Sequence, residues 1–149
     1  MTTTTHEPSS LLKGAGLRVT RPRVAVLNAV VAQPHSTADE IAGQVRGALG
    51  AVSTQAVYDV LRVCVSAGLL RRIEPAGASA LYETRTGDNH HHLVCRVCGR
   101  VTDVDCVVGA APCLQPSELG DFETDEAEVL FWGTCGSCRI SPSVEESRR

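Results

Sequence analysis

Residues 37–68 read TADEIAGQVRGALGAVSTQAVYDVLRVCVSAG, and this stretch decides the fold of the N-terminal half. Thr37 and Glu40 form the capping-box pattern that begins a helix, and Gly50 is placed to end it. Shortly afterwards, Ser53 is a good N-cap for a further helix. Two helices joined by so short a break have the spacing of a helix-turn-helix.

The second helix of this pair predicts a surface that reads nucleic acid. Its apolar residues fall on one face at helical spacing. The outer face carries Thr54, Gln55, Tyr58, Asp59 and Arg62. Gln and Arg can form bidentate bonds to base edges, and Thr and Tyr can hold phosphates, so these residue types suit a helix in a major groove. A solvated outer face without a ligand is the alternative that this pattern leaves open.

The flanking segments complete the pattern of a winged helix. Upstream, Thr20 caps a helix that has Pro22 in its first turn. Downstream, two short apolar segments flank the flexible residues 75–79 and predict a hairpin, which is the wing. Five arginines near these elements can neutralise phosphates, although each alone is an ordinary surface charge: Arg18, Arg21, Arg23, Arg71 and Arg72.

Charge divides the chain into two halves. Residues 1–85 carry nine Lys and Arg against six Asp and Glu, whereas residues 86–149 carry five against eleven. A net charge of +3 in the N-terminal part and −6 in the C-terminal part favours a DNA-binding module followed by a cation-binding module. A chain of 149 residues can hold two such modules and excludes a large multidomain enzyme.

The sequence also predicts a cytoplasmic protein with no membrane partner. No apolar run approaches the ~20 residues that span a bilayer, and residues 1–10 lack the basic flank and apolar core of an export signal. The seven cysteines therefore favour metal ligation or redox chemistry over disulfides. Residues 1–10 and 141–149 are polar and aperiodic, so we expect them to be disordered tails.

Two C-x-x-C motifs give the strongest chemical signal, and they comprise Cys95, Cys98, Cys135 and Cys138. Each pair is expected at a strand end where its sulfurs converge, and four thiolates form a closed, structural zinc site. A pair of thioredoxin-like redox motifs is the alternative. Those motifs normally occur singly and open a helix, whereas Gly99 and Gly136 suit tight knuckle turns.

A cluster of histidines precedes the first cysteine pair. On a strand, His90 and His92 project to the same face and His91 projects to the other. Glu83 and Asp103 are candidate oxygen ligands. A mixed nitrogen and oxygen set suits Fe, Mn, Zn or Ni without selecting among them, and a site that fills and empties is what a sensor needs. Histidines without a metal are the alternative.

Five segments together resemble the ferric uptake regulator family of metal-dependent repressors: LRVTRPR, HSTADEI, STQAVYDVL, NHHHLVCRVCG and WGTCGSC. The resemblance implies an α+β chain with an N-terminal winged helix-turn-helix at 11–84 and a hinge at 85–89. It implies a small C-terminal α/β dimerisation domain with the four-cysteine zinc site at 90–140. Members are typically homodimers that metal closes like calipers on a double-stranded DNA operator, here expected to be an inverted repeat.

The resemblance also assigns residues by position. It implies structural Zn(2+) at the four cysteines of the C-x-x-C motifs. It implies regulatory Fe(2+) or Mn(2+), with Zn or Ni as alternatives, at His35, Glu83, His90, His92 and Asp103. Because His35 lies in the DNA-binding half and the other ligands lie at or beyond the hinge, one ion could fix the angle between the modules. DNA contacts are expected from Arg18, Arg21, Arg23, Thr54, Gln55, Tyr58 and Arg62.

Two departures from the family pattern concern further ligands and DNA contacts. Ala110 and Ala127 offer no ligands where some members have Glu and His, so a further metal site is expected to be missing. Asp59 stands where relatives often have a basic or amide residue. The details of DNA contact are therefore expected to differ from those of relatives.

The resemblance further implies a subtype. Asp103 is similar to the aspartate of peroxide-responsive members, in which iron reacts with hydrogen peroxide and a histidine ligand is oxidised. The segments DVDC and APCL resemble the branch encoded beside catalase-peroxidase genes. They imply a repressor of that operon and of its own gene. An iron- or zinc-uptake regulator of the same family is the alternative.

Two further hypotheses concern thiols. Cys106 and Cys113, in the DVDC and APCL segments, are candidate redox thiols, and two partly buried small apolar residues are the alternative. From a different class, a zinc-stabilised thiol oxidoreductase would need a nucleophile, a base and an orienting group in a recognisable arrangement. The sequence offers no such arrangement, so we expect no enzyme.

Overall fold

The computed structural model describes residues 7–140 and confirms the α+β class. The chain forms two compact units, and it passes from the first to the second between Gly87 and Asp88. Within the described residues, the first unit contains α1 (Pro8–Gly14), α2 (Arg21–Ala32), β1 (Ser36–Thr37), α3 (Ala38–Leu49), α4 (Thr54–Ser66), β2 (Arg71–Ile73) and β3 (Leu81–Glu83).

Helix α1 corrects the expected N-terminal tail. It begins at Pro8, inside the stretch predicted to be disordered, because Glu7 caps it by accepting from the Ser9 N–H and Leu12 buries its side chain completely. The rest of that prediction, and the predicted tail at 141–149, lie outside the described residues.

Local capping signals place the next three helices as predicted. The Thr37 hydroxyl accepts from the Glu40 N–H at 3.2 Å, and the Glu40 carboxylate accepts from the Thr37 N–H at 2.8 Å, which completes the capping box of α3. Ser53 accepts from the Ala56 N–H at 3.1 Å and begins α4. Gly50, with φ of 81°, ends α3 in a conformation that suits glycine.

The core of the first unit lies between these helices. Ile41 and Val45 of α3 and Leu61 and Cys64 of α4 are at most 1% exposed, and they pack with Leu27 of α2. This shared core fixes α4 against α3, so the outer face of α4 stays exposed in a defined direction. The helix-turn-helix is therefore a packed unit rather than two adjacent helices.

The predicted wing is present as an antiparallel hairpin of β2 and β3. The two-residue strand β1 was not predicted from the sequence, and it pairs antiparallel with the other edge of β3. The His35 N–H extends this pairing by donating to the Tyr82 carbonyl at 2.9 Å. The sheet therefore brings the residue before β1 next to the end of β3.

Replacing Thr37 with alanine tests the capping box. We expect the free energy of unfolding of the first unit to fall by about 1 kcal/mol, because the Glu40 N–H loses its acceptor. Urea denaturation followed by circular dichroism measures this loss. Ser79→Ala, at an exposed position in the wing loop, is the control and should change stability by less than about 0.5 kcal/mol.

The second unit is built around a small mixed sheet. It contains β4 (His90–Cys95), β5 (Val101–Asp105), β6 (Leu130–Gly133) and the short helix α5 (Gly136–Ile140). Strand β4 lies at the centre, antiparallel to β5 and parallel to β6. The connection over residues 106–129 contains neither helix nor strand.

No single helix among the described residues is both long enough and apolar enough to cross a membrane. Helices α3 and α4 meet the length and composition test only when they are taken together, and the chain bends by 110° between them.

Candidate metal centres

The four cysteines of the two C-x-x-C motifs lie at neighbouring strand ends. Cys95 is the last residue of β4. Its carbonyl accepts from the Gly99 N–H at 3.0 Å, and this closes a tight turn that contains Cys98. The parallel pairing of β4 with β6 sets Cys95 opposite Gly133, two residues before Cys135. Sheet register therefore brings together two motifs that are far apart in sequence.

The spacing of the sulfurs fits a zinc ion. The four cysteine sulfurs all lie within 4.8 Å of one another, and the Sγ atoms of Cys98 and Cys135 are 3.8 Å apart. With Zn–S bonds of ≈ 2.3 Å, the edge of a tetrahedral site is about 3.8 Å long. The donor set and its spacing therefore match a closed structural zinc site.

The close approach of the four sulfurs shifts the thiol pKa values in opposite directions. The Cys135 N–H donates to the Cys95 sulfur at 3.3 Å and lowers the pKa of Cys95 to about 6. The hydrogen bond with the Cys135 sulfur raises the pKa of Cys138 to about 12. Four sulfurs this close cannot all ionise by themselves, and a bound divalent cation would allow them to do so.

The second cysteine pair differs from the expected knuckle. Gly136 is the first residue of α5, so this pair opens a short helix after a strand instead of forming a tight turn. Turn geometry therefore separates the zinc and redox interpretations only at the first pair. The meeting of all four sulfurs at one point is the stronger argument for zinc.

Nitrogen and oxygen donors converge on one face of the second sheet. His92 is directly opposite Asp103 in the antiparallel pairing of β4 with β5, and the two side chains share a face. The His92 Nε2 atom lies 3.2 Å from Asp103 Oδ1, and the His90 Nε2 atom lies 3.7 Å from the same oxygen. Strand alternation thus brings together three of the predicted regulatory ligands within this unit.

Asp88 sets the tautomer of His90. Its carboxylate accepts from His90 Nδ1 at 2.7 Å, so the Nε2 atom of the neutral ring carries a lone pair. That lone pair lies near the Asp103 carboxylate, which is also an acceptor. A divalent cation would be held by both groups, and such a donor set suits iron or manganese as well as zinc.

Asp88 was missed as a functional residue from the sequence. Its position two residues before His90 places both side chains on the same face of an extended chain, and this spacing is the signal that could have found it.

The remaining two predicted regulatory ligands meet within the first unit. His35 Nε2 lies 3.0 Å from Glu83 Oε2, and the Glu83 side chain is 1% exposed at the end of β3. His35 has φ of 62°, a left-handed conformation that costs a non-glycine residue about 1–2 kcal/mol. Such strain is concentrated at functional sites, and here it accompanies the imidazole that meets the buried carboxylate.

Removing the Asp88 carboxylate tests its positioning role. We expect Asp88→Ala to weaken binding of Mn(II) about 10- to 100-fold, because the His90 ring loses the acceptor that orients it. Isothermal titration of the zinc-loaded protein measures this change. Glu118→Ala, an exposed acidic residue of the same unit, is the control, and equal losses in both variants would contradict the role.

The outer face of α4 presents most of the predicted DNA-contacting side chains. Gln55, Tyr58 and Arg62 are exposed, while Thr54 is half-buried and accepts from Arg46 at 2.5 Å. Asp59 accepts from Gln55 Nε2 at 3.0 Å and lies 3.4 Å from Arg62. The two side chains suited to base edges are thus held by a neighbouring carboxylate.

The predicted arginines differ in how exposed their side chains are and in the contacts that they make. Arg18 and Arg21 are exposed, whereas the half-buried Arg23 donates to the Arg18 carbonyl at 2.8 Å. Arg72, on the wing, is paired with Glu74 at 2.6 Å. Arg18 and Arg21 are therefore the more accessible of the upstream group.

Comparisons with known proteins agree on one family. The model described as "Ferric uptake regulator family" matches residues 14–108. The chain is 60% identical over 130 residues to "Transcriptional regulator FurA" of Mycobacterium tuberculosis, covering 87% of this chain and 88% of that protein. It is 53% identical over 139 residues to "Ferric uptake regulation protein 1" of Mycolicibacterium fortuitum, covering 93% and 86% of the two chains.

A solved structure supports the same assignment of the fold. The structure of the ferric uptake regulator from Pseudomonas aeruginosa with manganese is similar, with a TM-score of 0.66 and 26% sequence identity. The similarity covers 87% of this chain and 98% of that one.

Proposed function

This chain belongs to the ferric uptake regulator family and is a metal-responsive transcriptional regulator, and we propose that it is a peroxide-responsive repressor. Its zinc-stabilised homodimer binds an inverted-repeat operator when a regulatory ion is present. The convergence of His90, His92 and Asp103 on one face of β4 and β5 is the observation that carries this proposal.

The chain has two proposed metal sites with different chemistry, one structural and one regulatory. The four cysteines hold structural zinc, because closed thiolate sites are tetrahedral and leave no position for exchange. The regulatory ion, Fe(II) or Mn(II), is held by His35, Glu83, His90, His92 and Asp103. His35 and Glu83 belong to the first unit and the other three residues belong to the second. One ion that bound all five would therefore couple the DNA-binding unit to the dimerisation unit.

The DNA interface follows from the exposed face of α4 and the arginines beside it. Gln55 and Arg62 have the chemistry to read base edges, and Tyr58 has the chemistry to hold a phosphate. The contacts of Gln55 and Arg62 with Asp59 are exposed, so they contribute little energy and leave both side chains accessible to DNA.

Exposed apolar side chains of the second unit support a homodimer. Leu93 and Phe131 are directly opposite each other on β4 and β6, share one face of the sheet, and are 46% and 49% exposed. Val107, Leu114 and Phe122 are also exposed. A unit of this size rarely exposes so many large apolar residues unless a partner covers them.

The peroxide response is proposed from the nature of the oxygen ligand, Asp103, and from the histidines beside it. Fe(II), when held by these residues, would activate hydrogen peroxide. One peroxide oxygen would add to the ring of His90 or His92, which is oxidised by two electrons, and the other oxygen would leave as water. Their imidazoles lie 3.7 and 3.2 Å from the same oxygen of Asp103, so both would be ligands of an ion held there. Oxidation of either ring removes a ligand and releases the operator.

Operator binding by metal-loaded protein tests this response. We expect Fe(II)-loaded protein to lose affinity for DNA from the promoter of its own gene after low hydrogen peroxide, with one oxygen added to the peptide that contains His90 and His92. The Mn(II)-loaded protein is the control and should retain binding. Retained binding by the iron form would favour the alternative, an iron- or zinc-uptake regulator, which is then distinguished by the metal that restores binding.

The alternative from a different class is set aside. Members of this family are transcriptional regulators and not enzymes, so a thiol oxidoreductase does not fit the assignment. The proposed targets are a catalase-peroxidase operon and the gene of the protein itself.

A further inference from the structure

A second group of reactive side chains lies in the second unit, apart from the zinc cysteines and from the regulatory ligands. One nitrogen of His91 and the sulfurs of Cys106 and Cys113 all lie within 4.8 Å of one another. His91 projects from β4 to the face opposite His90 and His92. The group therefore occupies the other side of the strand that carries the regulatory histidines.

Hydrogen bonds fix the direction of the His91 ring. The Val129 N–H donates to His91 Nδ1 at 3.3 Å, so this nitrogen keeps its lone pair and the neutral ring carries its proton on Nε2. The Nε2 atom lies 3.2 Å from the Cys113 sulfur and donates to it. A metal ion at Nε2 would need the lone pair that this arrangement places at Nδ1, so the geometry favours thiol chemistry over metal binding.

The two cysteines are not equivalent. The N–H groups of Gly109 and Val108 donate to the Cys106 sulfur and lower the pKa of Cys106. Burial, followed by the hydrogen bond with Cys106, raises the pKa of Cys113. The opposite directions of the two shifts make Cys106 the more readily ionised thiol of the pair, so Cys106 is the attacking sulfur and Cys113 the resolving one.

We propose that Cys106 is an oxidation site for hydrogen peroxide and that it forms an intramolecular disulfide with Cys113. The reaction goes beyond the proposed function, because it uses no regulatory ion and consumes the two thiols once instead of turning over.

The steps balance with hydrogen peroxide as the two-electron oxidant. The Cys106 thiolate attacks one peroxide oxygen, the O–O bond breaks, and hydroxide leaves and is protonated to water. Cys106 is then a sulfenic acid. The Cys113 thiol gives up its proton as its sulfur attacks the Cys106 sulfur, the S–O bond breaks, and a second water leaves. Two thiols and one peroxide become one disulfide and two waters.

The segment that joins the two cysteines can allow their sulfurs to approach. A disulfide requires an S–S distance near 2.05 Å, so the sulfurs must move together. Both cysteines are half-buried, and the segment between them is neither helix nor strand. Val108, two residues after Cys106, is 63% exposed, so little packing within the unit opposes this movement.

Peroxide treatment of the zinc-loaded full-length protein, without iron or manganese and without DNA, tests the proposal. We expect alkylation and peptide mass spectrometry to show a Cys106–Cys113 disulfide at peroxide doses that leave one zinc per chain. Cys113→Ser should instead accumulate a sulfenic acid at Cys106 that dimedone traps. Cys64→Ala changes a buried cysteine of the first unit and should leave the disulfide yield unchanged.

Two results would overturn the proposal. One is zinc release and oxidation of the C-x-x-C cysteines while Cys106 and Cys113 stay reduced. The other is a second zinc ion per chain that is lost in Cys113→Ser, since it would make the group a metal site. Because no regulatory ion is present, neither result bears on histidine oxidation, so failure here and failure of the proposed function are distinguishable.

Discussion

Replacing Cys135 with serine is expected to unfold the second unit and to remove its zinc. Among the described residues of that unit, Val94 and Cys95 are the buried apolar residues, and three buried histidines make up much of the remaining interior. So small a core cannot offset the entropy of ordering the sheet. A structural zinc site contributes an apparent ≈ 10–16 kcal/mol of folding free energy, which is comparable to the whole stability of a typical domain.

Zinc content and amide exchange measure this effect unit by unit. Zinc should fall from one per chain to near zero, and the amides of β4, β5 and β6 should lose protection. The first unit should remain folded, because its core of Leu27, Ile41 and Leu61 is made within that unit. Ser137→Ala, an exposed position inside the same motif, is the control. Protected strands in zinc-free Cys135→Ser would contradict the structural role of zinc.

Replacing His92 with alanine is expected to abolish the metal response while leaving zinc in place. Loss of an outer partner of a ligand costs about 10- to 100-fold in metal affinity, so loss of the ligand itself should cost at least ~100-fold. The His92 imidazole is fully buried against Asp103 at 3.2 Å, and no other side chain of β4 takes its position. Mn(II) titration should therefore show no saturable site at micromolar concentrations, and Mn(II) should no longer tighten operator binding.

The neighbouring histidine provides the matched control. His91→Ala changes the same residue type one position earlier, and its side chain projects to the opposite face of β4. We expect this variant to bind Mn(II) within a few-fold of the unaltered protein. Equal losses in the two variants would contradict the assignment of His92 to the regulatory site, because they would show general damage to the strand.

Much of the fold could be predicted because its signals are local. The capping pair Thr37 and Glu40 and the N-cap Ser53 satisfy backbone N–H groups within one helical turn, so sequence alone places these helix starts. The same holds for the strand alternation that joins His90 with His92 and separates His91. Ligand spacing predicted the four-sulfur cluster because a closed zinc site requires both motifs to meet.

The remainder depends on tertiary contacts that leave no periodic signal. Strand β1 is two residues long, and it forms because β3 offers an edge beside it. The contact of His91 with Cys113 depends on the path of residues 106–129, which have no helix or strand to predict. By contrast, the contacts of Asp59 with Gln55 and Arg62 have helical i,i+4 and i,i+3 spacing, so the sequence could have predicted them.

The central claim is that the regulatory ion controls DNA binding. Measuring the affinity of the same protein for its operator with and without that ion tests this claim most directly. The zinc-loaded protein would be titrated against a labelled fragment from the promoter of its own gene, at fixed salt, in chelator and then in Mn(II). We predict binding that is about 5- to 150-fold tighter with Mn(II), the usual range for coupling between two sites, and no such change with an unrelated fragment. Equal operator affinity in both conditions would contradict metal-dependent repression.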